Sequence, residues 1–558
     1  MHLQLVMPGV WYEIQHASKE SGINVYGFSF VGAPGVIAGH SRYASWGFTN
    51  VGADVVDYFY YNTSADGTKY LNGSTWDDFE IISETIPVKG AKDHELTIKF
   101  TGHGPIISPD INSHVKAANF APIAMRWTGH DDIVYGKPDY LFRAVFGFWN
   151  AQSISDFSEA QRDWGLPGQN FVVATTDNHI AIRPVANYPI RPKGNWGRQP
   201  VNGSNPANDW LGYIPYEELA VAEDPAQQFL TSTNQKTTGP DYPYFMGSFF
   251  APGYRSRSIT QLIQDKIDAN EKISVEDMQR FQSDIVDTSV EAFRPVWSSI
   301  NVKGNATLLA ALNYMYNWGG SNFRLGEMHR DLVAPTIYTE WLAFFRYNTF
   351  ADEFAGAHER VRMTFPQDHT LENMTLFNQS VKWFDDLDTT PIETIEDIAY
   401  RSLVDAVNYL ATPYGLDTDN MDDWLYGNYH RLFPLHLTEL GPFNAGPYPF
   451  YGNAYTLAAA SERTVHHGAS ERAIYDLDPA KSNLPHAWTS IPSGQNGNPL
   501  SKHYKDQLET LYIVRTEGRF GYHVSHFYLS AIEFKTAATE SSSDSFYIES
   551  TLTFRPGG

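Results

Sequence analysis

Two short runs of this sequence begin familiar catalytic motifs, and neither completes one. His94-Glu95 starts the His-Glu-x-x-His pattern, in which two imidazoles one helical turn apart hold a metal, but Ile98 stands where the second imidazole is needed. Gly39-His40-Ser41-Arg42-Tyr43 has the serine of a nucleophile elbow without the closing glycine, so the sharp turn that would expose the hydroxyl is not encoded. There is no Gly-x-x-x-x-Gly-Lys-Ser/Thr and no Gly-x-Gly-x-x-Gly, hence no phosphate-cradling loop of those kinds. Cysteine is absent from all 558 residues, which removes thiolate nucleophiles, thiolate metal ligands and disulfides.

Charge and length exclude further classes. Forty Lys and Arg against 64 Asp and Glu leave a net charge of −24, which repels nucleic-acid phosphates and anionic lipid. Aromatic residues make up 15%, a composition that suits clefts for acyl or sugar groups and argues against disorder. A chain of 558 residues exceeds the roughly 250–300 that one core usually serves. No window approaches the ~20 apolar residues of a membrane span. The N-terminus lacks the basic flank and small-residue cleavage site of a signal peptide, so if the protein is exported its address lies upstream of Met1. Asn-x-Ser/Thr sequons at Asn62, Asn72, Asn202, Asn305, Asn373 and Asn378 are about as many as chance gives.

The elements that must position any chemistry read as sheet, then helices, then sheet. Residues 23–60 are short β segments broken by Gly and Pro, ending in the strand Val-Val-Asp-Tyr-Phe-Tyr-Tyr. β character continues through 79–90 and 94–108, with Ala-Lys-Asp-His and Gly-His-Gly-Pro as turns. From 141 the apolar spacing becomes helical, with Ser155 and Asp156 placed to cap, and 169–189 reads as a hairpin around Asp-Asn-His. The stretch 258–430 is helix-rich, two helices opening with acidic first turns. Strand signals return after 450 and end in a terminal strand over 543–558, preceded by a polar loop at 538–545. Without regular βαβ alternation this predicts an α+β layered fold whose sheet is gathered from distant parts of the chain.

Nine stretches, in order, carry a resemblance: 2–17 (HLQLVMPGVWYEIQHA), 32–59 (GAPGVIAGHSRYASWGFTNVGADVVDYF), 101–107 (TGHGPII), 169–182 (QNFVVATTDNHIAI) and 209–219 (DWLGYIPYEEL), then 229–244 (FLTSTNQKTTGPDYPY), 251–259 (APGYRSRSI), 468–478 (GASERAIYDLD) and 494–508 (GQNGNPLSKHYKDQL). In order and spacing they resemble the penicillin acylase (penicillin amidase) family of N-terminal nucleophile hydrolases. The resemblance implies a four-layer αββα sandwich with a helical elaboration. It implies one large catalytic domain over 1–558 resembling the family's β chain: sheet-rich to 257, helix-rich over 258–430, and back to the sheet core from 431.

In that family a precursor cuts itself, and the new N-terminal Ser attacks the amide while its own α-amine takes the proton. An α-amine titrates at about 7.7–8, close to operating pH, so no separate histidine is required. Here the match starts at His2, with Met1 where the family has proline. The resemblance therefore places the nucleophile about twenty residues before Met1 and makes this chain a truncated form of a zymogen-derived acylase.

By resemblance, His2 adjoins the nucleophile and orients it. Asn50 lends a backbone N–H, and Asn234 a side-chain amide, to an oxyanion hole. Arg255 braces the site, with Arg257 the neighbouring choice. Leu3, Ala38, Phe148 and Gln169 line the acyl pocket, where aliphatic or small residues at the first two positions suit an extended acyl chain. Asp54, Asp57 and the Val56 carbonyl match a structural calcium site, which also takes a ligand from an α chain and a later carboxylate for which no Asp stands near Tyr244 to Met246. No organic cofactor is implied. The implied function is hydrolysis of linear amides such as β-lactam side chains or acyl-homoserine lactones, with a small N-acyl amide as substrate, the α chain of the same precursor as partner, and an extracytoplasmic location. The alternative is a ligand-binding homologue that has lost the nucleophile.

Overall fold

The computed structural model describes residues 1–108, 122–131, 140–354, 365–377, 382–412, 416–418, 420–461, 463–478 and 485–525. The expected terminal strand at 543–558 and the loop before it lie outside these residues. Internal contacts divide the chain into two units, Tyr43–Ala251 and Met1–Arg42 with Pro252–Gly558.

In the unit Tyr43–Ala251, the strands Ala44–Asn50, Gln169–Thr175, Ile180–Val185 and Ala222–Glu223 pair antiparallel in that spatial order. Period-two alternation buries Ala44, Trp46 and Phe48 on one face. Helices Leu141–Asn150 and Ile154–Gln161 cover that face. Phe148 stacks on Phe157 at 4.3 Å and lies 5.3 Å from Phe171, and Trp164 meets Phe171 edge-on at 4.9 Å. The hairpin expected around Asp-Asn-His is present, with Asn178 turning the chain at φ 70°. The cap of Ile154–Gln161 is Ser153 rather than Ser155: the Ser153 hydroxyl accepts from the Asp156 N–H and Asp156 reaches back to the Ser153 N–H. A cap precedes the helix in extended backbone, and Ser155 already lies inside it. Separately, Val56–Tyr60 pairs antiparallel with Ile123–Trp127 and parallel with Val201–Asn202, while Glu80–Ile86 and His94–Thr101 form a hairpin.

The other unit gathers strands from both ends of the chain. Trp11–Ala17, Asn24–Phe30 and Ala38–Ser41 form one antiparallel sheet. His2–Gln4 pairs with His467–Ala469, which also pairs with Ala460–Ser461. Between them in sequence lies the expected helical stretch. Val275–Gln282 and Ile395–Ala411 open with capping boxes, Ser274 with Asp277 and Thr394 with Asp397. On Ile395–Ala411 the buried Ile398, Ala399, Ser402, Leu403, Ala406, Val407 and Leu410 recur at three and four residues, one stripe that packs on Ala334–Phe350. Trp341 sits in that seam with no exposed surface, stacked 5.1 Å from Phe345, and its indole N–H donates to the Ala399 carbonyl at 3.1 Å.

Replacing Trp341 with Ala opens a large cavity and removes the indole bond to the Ala399 carbonyl, so a loss of about 3–5 kcal/mol is expected in urea unfolding. A loss under about 1 kcal/mol would show that this seam does not hold the helices together.

Candidate active site

The strand Ala44–Asn50 alternates buried and half-exposed residues and delivers Asn50 to its exposed end. Across the sheet Asn50 is paired with Gln169, whose side-chain amide donates to Asn50 Oδ1 at 3.2 Å. The Asn50 carbonyl accepts from Asn234 Nδ2 at 2.9 Å. Asn234 holds a left-handed backbone at φ 67°, which Asn tolerates better than most side chains, and its carbonyl accepts from the Ala251 N–H at 2.9 Å. Polar neighbours fix the segment around it. Ser232 Oγ lies 2.6 Å from Thr49 Oγ1, Asn170 donates to that same hydroxyl at 3.2 Å, and Gln235 Oε1 accepts from both the Thr233 N–H and hydroxyl. Gly52 follows at φ 70°, where an added Cβ would fall 2.3 Å from the Phe249 carbonyl oxygen, so only glycine lets the two backbones meet.

Asn50, Asn234 and Gln169 are therefore one hydrogen-bonded chain. Phe148 is in the aromatic cluster under the sheet, fully buried. Gln235, Ser232 and Thr49 went unnoticed in the sequence because short polar residues near a turn carry no distinguishing spacing.

In the other unit His2 opens the strand His2–Gln4, opposite Ala469. The Met1 carbonyl accepts from both the Ser470 N–H and hydroxyl, at 2.9 and 2.7 Å, and Trp11 Nε1 donates to that hydroxyl at 2.8 Å. Burial, and then the positive charge of Arg255, hold the His2 imidazole well below its ordinary pKa, so at neutral pH the ring is uncharged and has one donor and one acceptor nitrogen. Arg255 lies in the first turn of the helix Tyr254–Asp268, and burial pulls its pKa down to about 10. Arg257 is engaged elsewhere, donating twice to Glu372 at 2.8 and 3.2 Å. Leu3 is half-buried beside His2, and Ala38 is buried at the start of the strand Ala38–Ser41.

Asp54 and Asp57 do come together, three residues apart, but around a side chain. Arg191 Nη2 meets Asp54 Oδ1 and Arg191 Nε meets Asp57 Oδ2, each at 2.8 Å. A calcium ion with six to eight oxygen ligands would have to compete with that guanidinium for the same carboxylates.

The family described as penicillin amidase matches residues 1–515. The acyl-homoserine lactone acylase QuiP of Pseudomonas aeruginosa is 23% identical over 547 residues, covering 91% of this chain and 62% of that protein. The penicillin acylase 2 proenzyme of Pseudomonas sp. strain SE83 is 23% identical over 526 residues, again covering 91% and 62%. The chain thus spans about three fifths of the length of these relatives. A solved structure, thermostable penicillin G acylase from Alcaligenes faecalis, matches with a TM-score of 0.68 at 18% identity, covering 98% of this chain and 96% of that one. The fold is accordingly the α+β fold of N-terminal nucleophile hydrolases that the sequence resemblance implied.

A histidine whose folded pKa is depressed costs stability as pH falls through and below about 6.5, where the unfolded chain takes a proton that the folded chain refuses. His2→Gln removes that term. The melting temperature of His2→Gln minus that of the unsubstituted chain is expected to rise as pH is lowered from about 7 to about 5; a difference that stays flat would mean His2 is not held neutral.

Proposed function

The chain belongs to the penicillin amidase family, and on that premise we propose that it is the larger, β-chain-like part of an amidohydrolase that cleaves linear N-acyl amides through an acyl-enzyme. Chain coverage supports the reading of a processed piece: 96% of one solved chain is spanned, against 62% of each curated relative. The remaining parts are a Ser-led segment ahead of Met1 and an α chain released from the same precursor, exported across the membrane.

The observation that carries the chemistry is the 2.9 Å hydrogen bond from Asn234 Nδ2 to the Asn50 carbonyl. It clasps the two residues assigned to the oxyanion hole. The serine hydroxyl adds to the substrate carbonyl carbon while its α-amine takes the proton. The negative charge that develops on the carbonyl oxygen is met by the Asn50 N–H and the Asn234 amide. The C–N bond then breaks, the amine leaves with the proton, and water hydrolyses the acyl ester in a second round of the same steps. His2 follows the nucleophile-bearing segment along the chain, and a neutral imidazole can hydrogen-bond the serine or its amine without competing for the proton. With Leu3 and Ala38 as acyl-pocket residues, an extended acyl chain is favoured over a flat aromatic one.

The complete gene product, allowed to mature, is expected to hydrolyse acyl-homoserine lactones of longer chain faster than penicillin G, penicillin V or glutaryl amides, and the 558-residue chain alone to hydrolyse none. In the matured protein Asn234→Ala is expected to lower kcat by about 10²–10³ with little change in KM. Full activity in that variant, or turnover by the isolated chain, would refute the assignment.

A further inference from the structure

Family resemblance leads one to look for calcium between Asp54 and Asp57, yet a fork of nitrogen donors stands there. Besides its two carboxylate bonds, Arg191 Nη2 donates to the Asp54 backbone carbonyl at 3.1 Å. One side chain thus binds the side chain and the main chain of residue 54 and the side chain of residue 57, which are the kinds of oxygen a calcium ion would collect. The pair is desolvated: the Arg191 and Asp57 side chains are only 2% and 3% exposed.

Other side chains pack around the ion pair. Trp210 Nε1 donates to Asp57 Oδ2 at 2.6 Å, and the Phe245 ring lies 5.5 Å from the guanidinium carbon. Gly197, at φ 66°, lies against the pair. A Cβ there would fall 2.7 Å from Asp57 Oδ1 and 2.9 Å from Arg191 Nε, so on that side the backbone is pressed onto the ion pair. Calcium in place of the guanidinium would need six to eight oxygens, whereas the described residues contain no group of three or more His, Cys, Asp or Glu able to hold a metal. It would also expel a buried arginine from both of its anionic partners, and an uncompensated buried charge is strongly unfavourable.

We propose that Arg191 is the resident cation of this position, its guanidinium tying Asp54 to Asp57 in place of a divalent metal ion. The inference stands on this geometry and is independent of whether the chain hydrolyses amides.

The test uses the full gene product after chelator treatment. In equilibrium dialysis against radioactive calcium up to about 1 mM, the weak end of extracellular calcium modules, less than about a tenth of an equivalent is expected to bind, and the melting temperature to be the same in calcium and in EDTA. Arg191→Gln, which keeps length and loses charge, is expected to melt lower in EDTA and to recover part of the loss when calcium is added. One bound equivalent in the unsubstituted protein, or a melting temperature that calcium raises, would overturn the proposal. So would an Arg191→Gln protein as stable in EDTA as its parent. Should that variant not fold, dialysis of the parent alone decides.

Discussion

A single hydrogen bond, from the Asn234 side chain to the carbonyl of Asn50 184 residues earlier, is the constraint around which the unit Tyr43–Ala251 is arranged. For it to form, a strand must end at residue 50 and the chain at 234 must enter a backbone conformation that most side chains avoid. The aromatic cluster beneath the sheet fixes the first condition by anchoring Trp46 and Phe48. The second is met by the bond from Ala251 to the Asn234 carbonyl and by the pairs among Thr49, Ser232, Thr233 and Gln235. The energy comes mostly from apolar packing, while the polar bonds choose one geometry among those that packing would permit.

Burial of charge is handled in the other unit by two opposite means. Glu13 is desolvated yet held below its ordinary pKa, because Tyr26, Thr489 and His523 all hydrogen-bond to it, and His523 is raised in return. Burial and then positive neighbours act on His2, with no hydrogen-bonded carboxylate among the described residues, and its pKa falls. One histidine is thus shifted toward its charged form by a buried carboxylate, and the other is held toward its neutral form beside residues assigned to chemistry.

Local physics was legible in the sequence. Gly and Pro breaks with β-branched and aromatic content predicted the strands between 23 and 60, turn residues predicted the hairpin within 169–189, and acidic first turns predicted the caps of the helices at 275 and 395. The cap at Ser153 was misplaced by two residues because Ser153 and Ser155 are chemically alike, and only the backbone decides which one stands outside the helix. The order of nine motifs gave the family and so the fold. Arg191 was not legible, since it lies 137 and 134 residues from its two carboxylates and nothing in its own neighbourhood marks it. Long-range pairs of this kind come from the fold, and a pattern scan along the chain does not contain them.

Trp210 gives the acidic cluster a built-in reporter. Its indole N–H is spent on Asp57, and the guanidinium carbon of Arg126 lies 4.5 Å from its ring. An indole held between an anion and a cation has electronic transitions and a proton resonance that both respond to small changes in either charge. With fluorine-labelled tryptophan this one residue, out of 14, could be followed by magnetic resonance as the cluster assembles, offering a spectroscopic view of folding in a region that no enzymatic assay reaches.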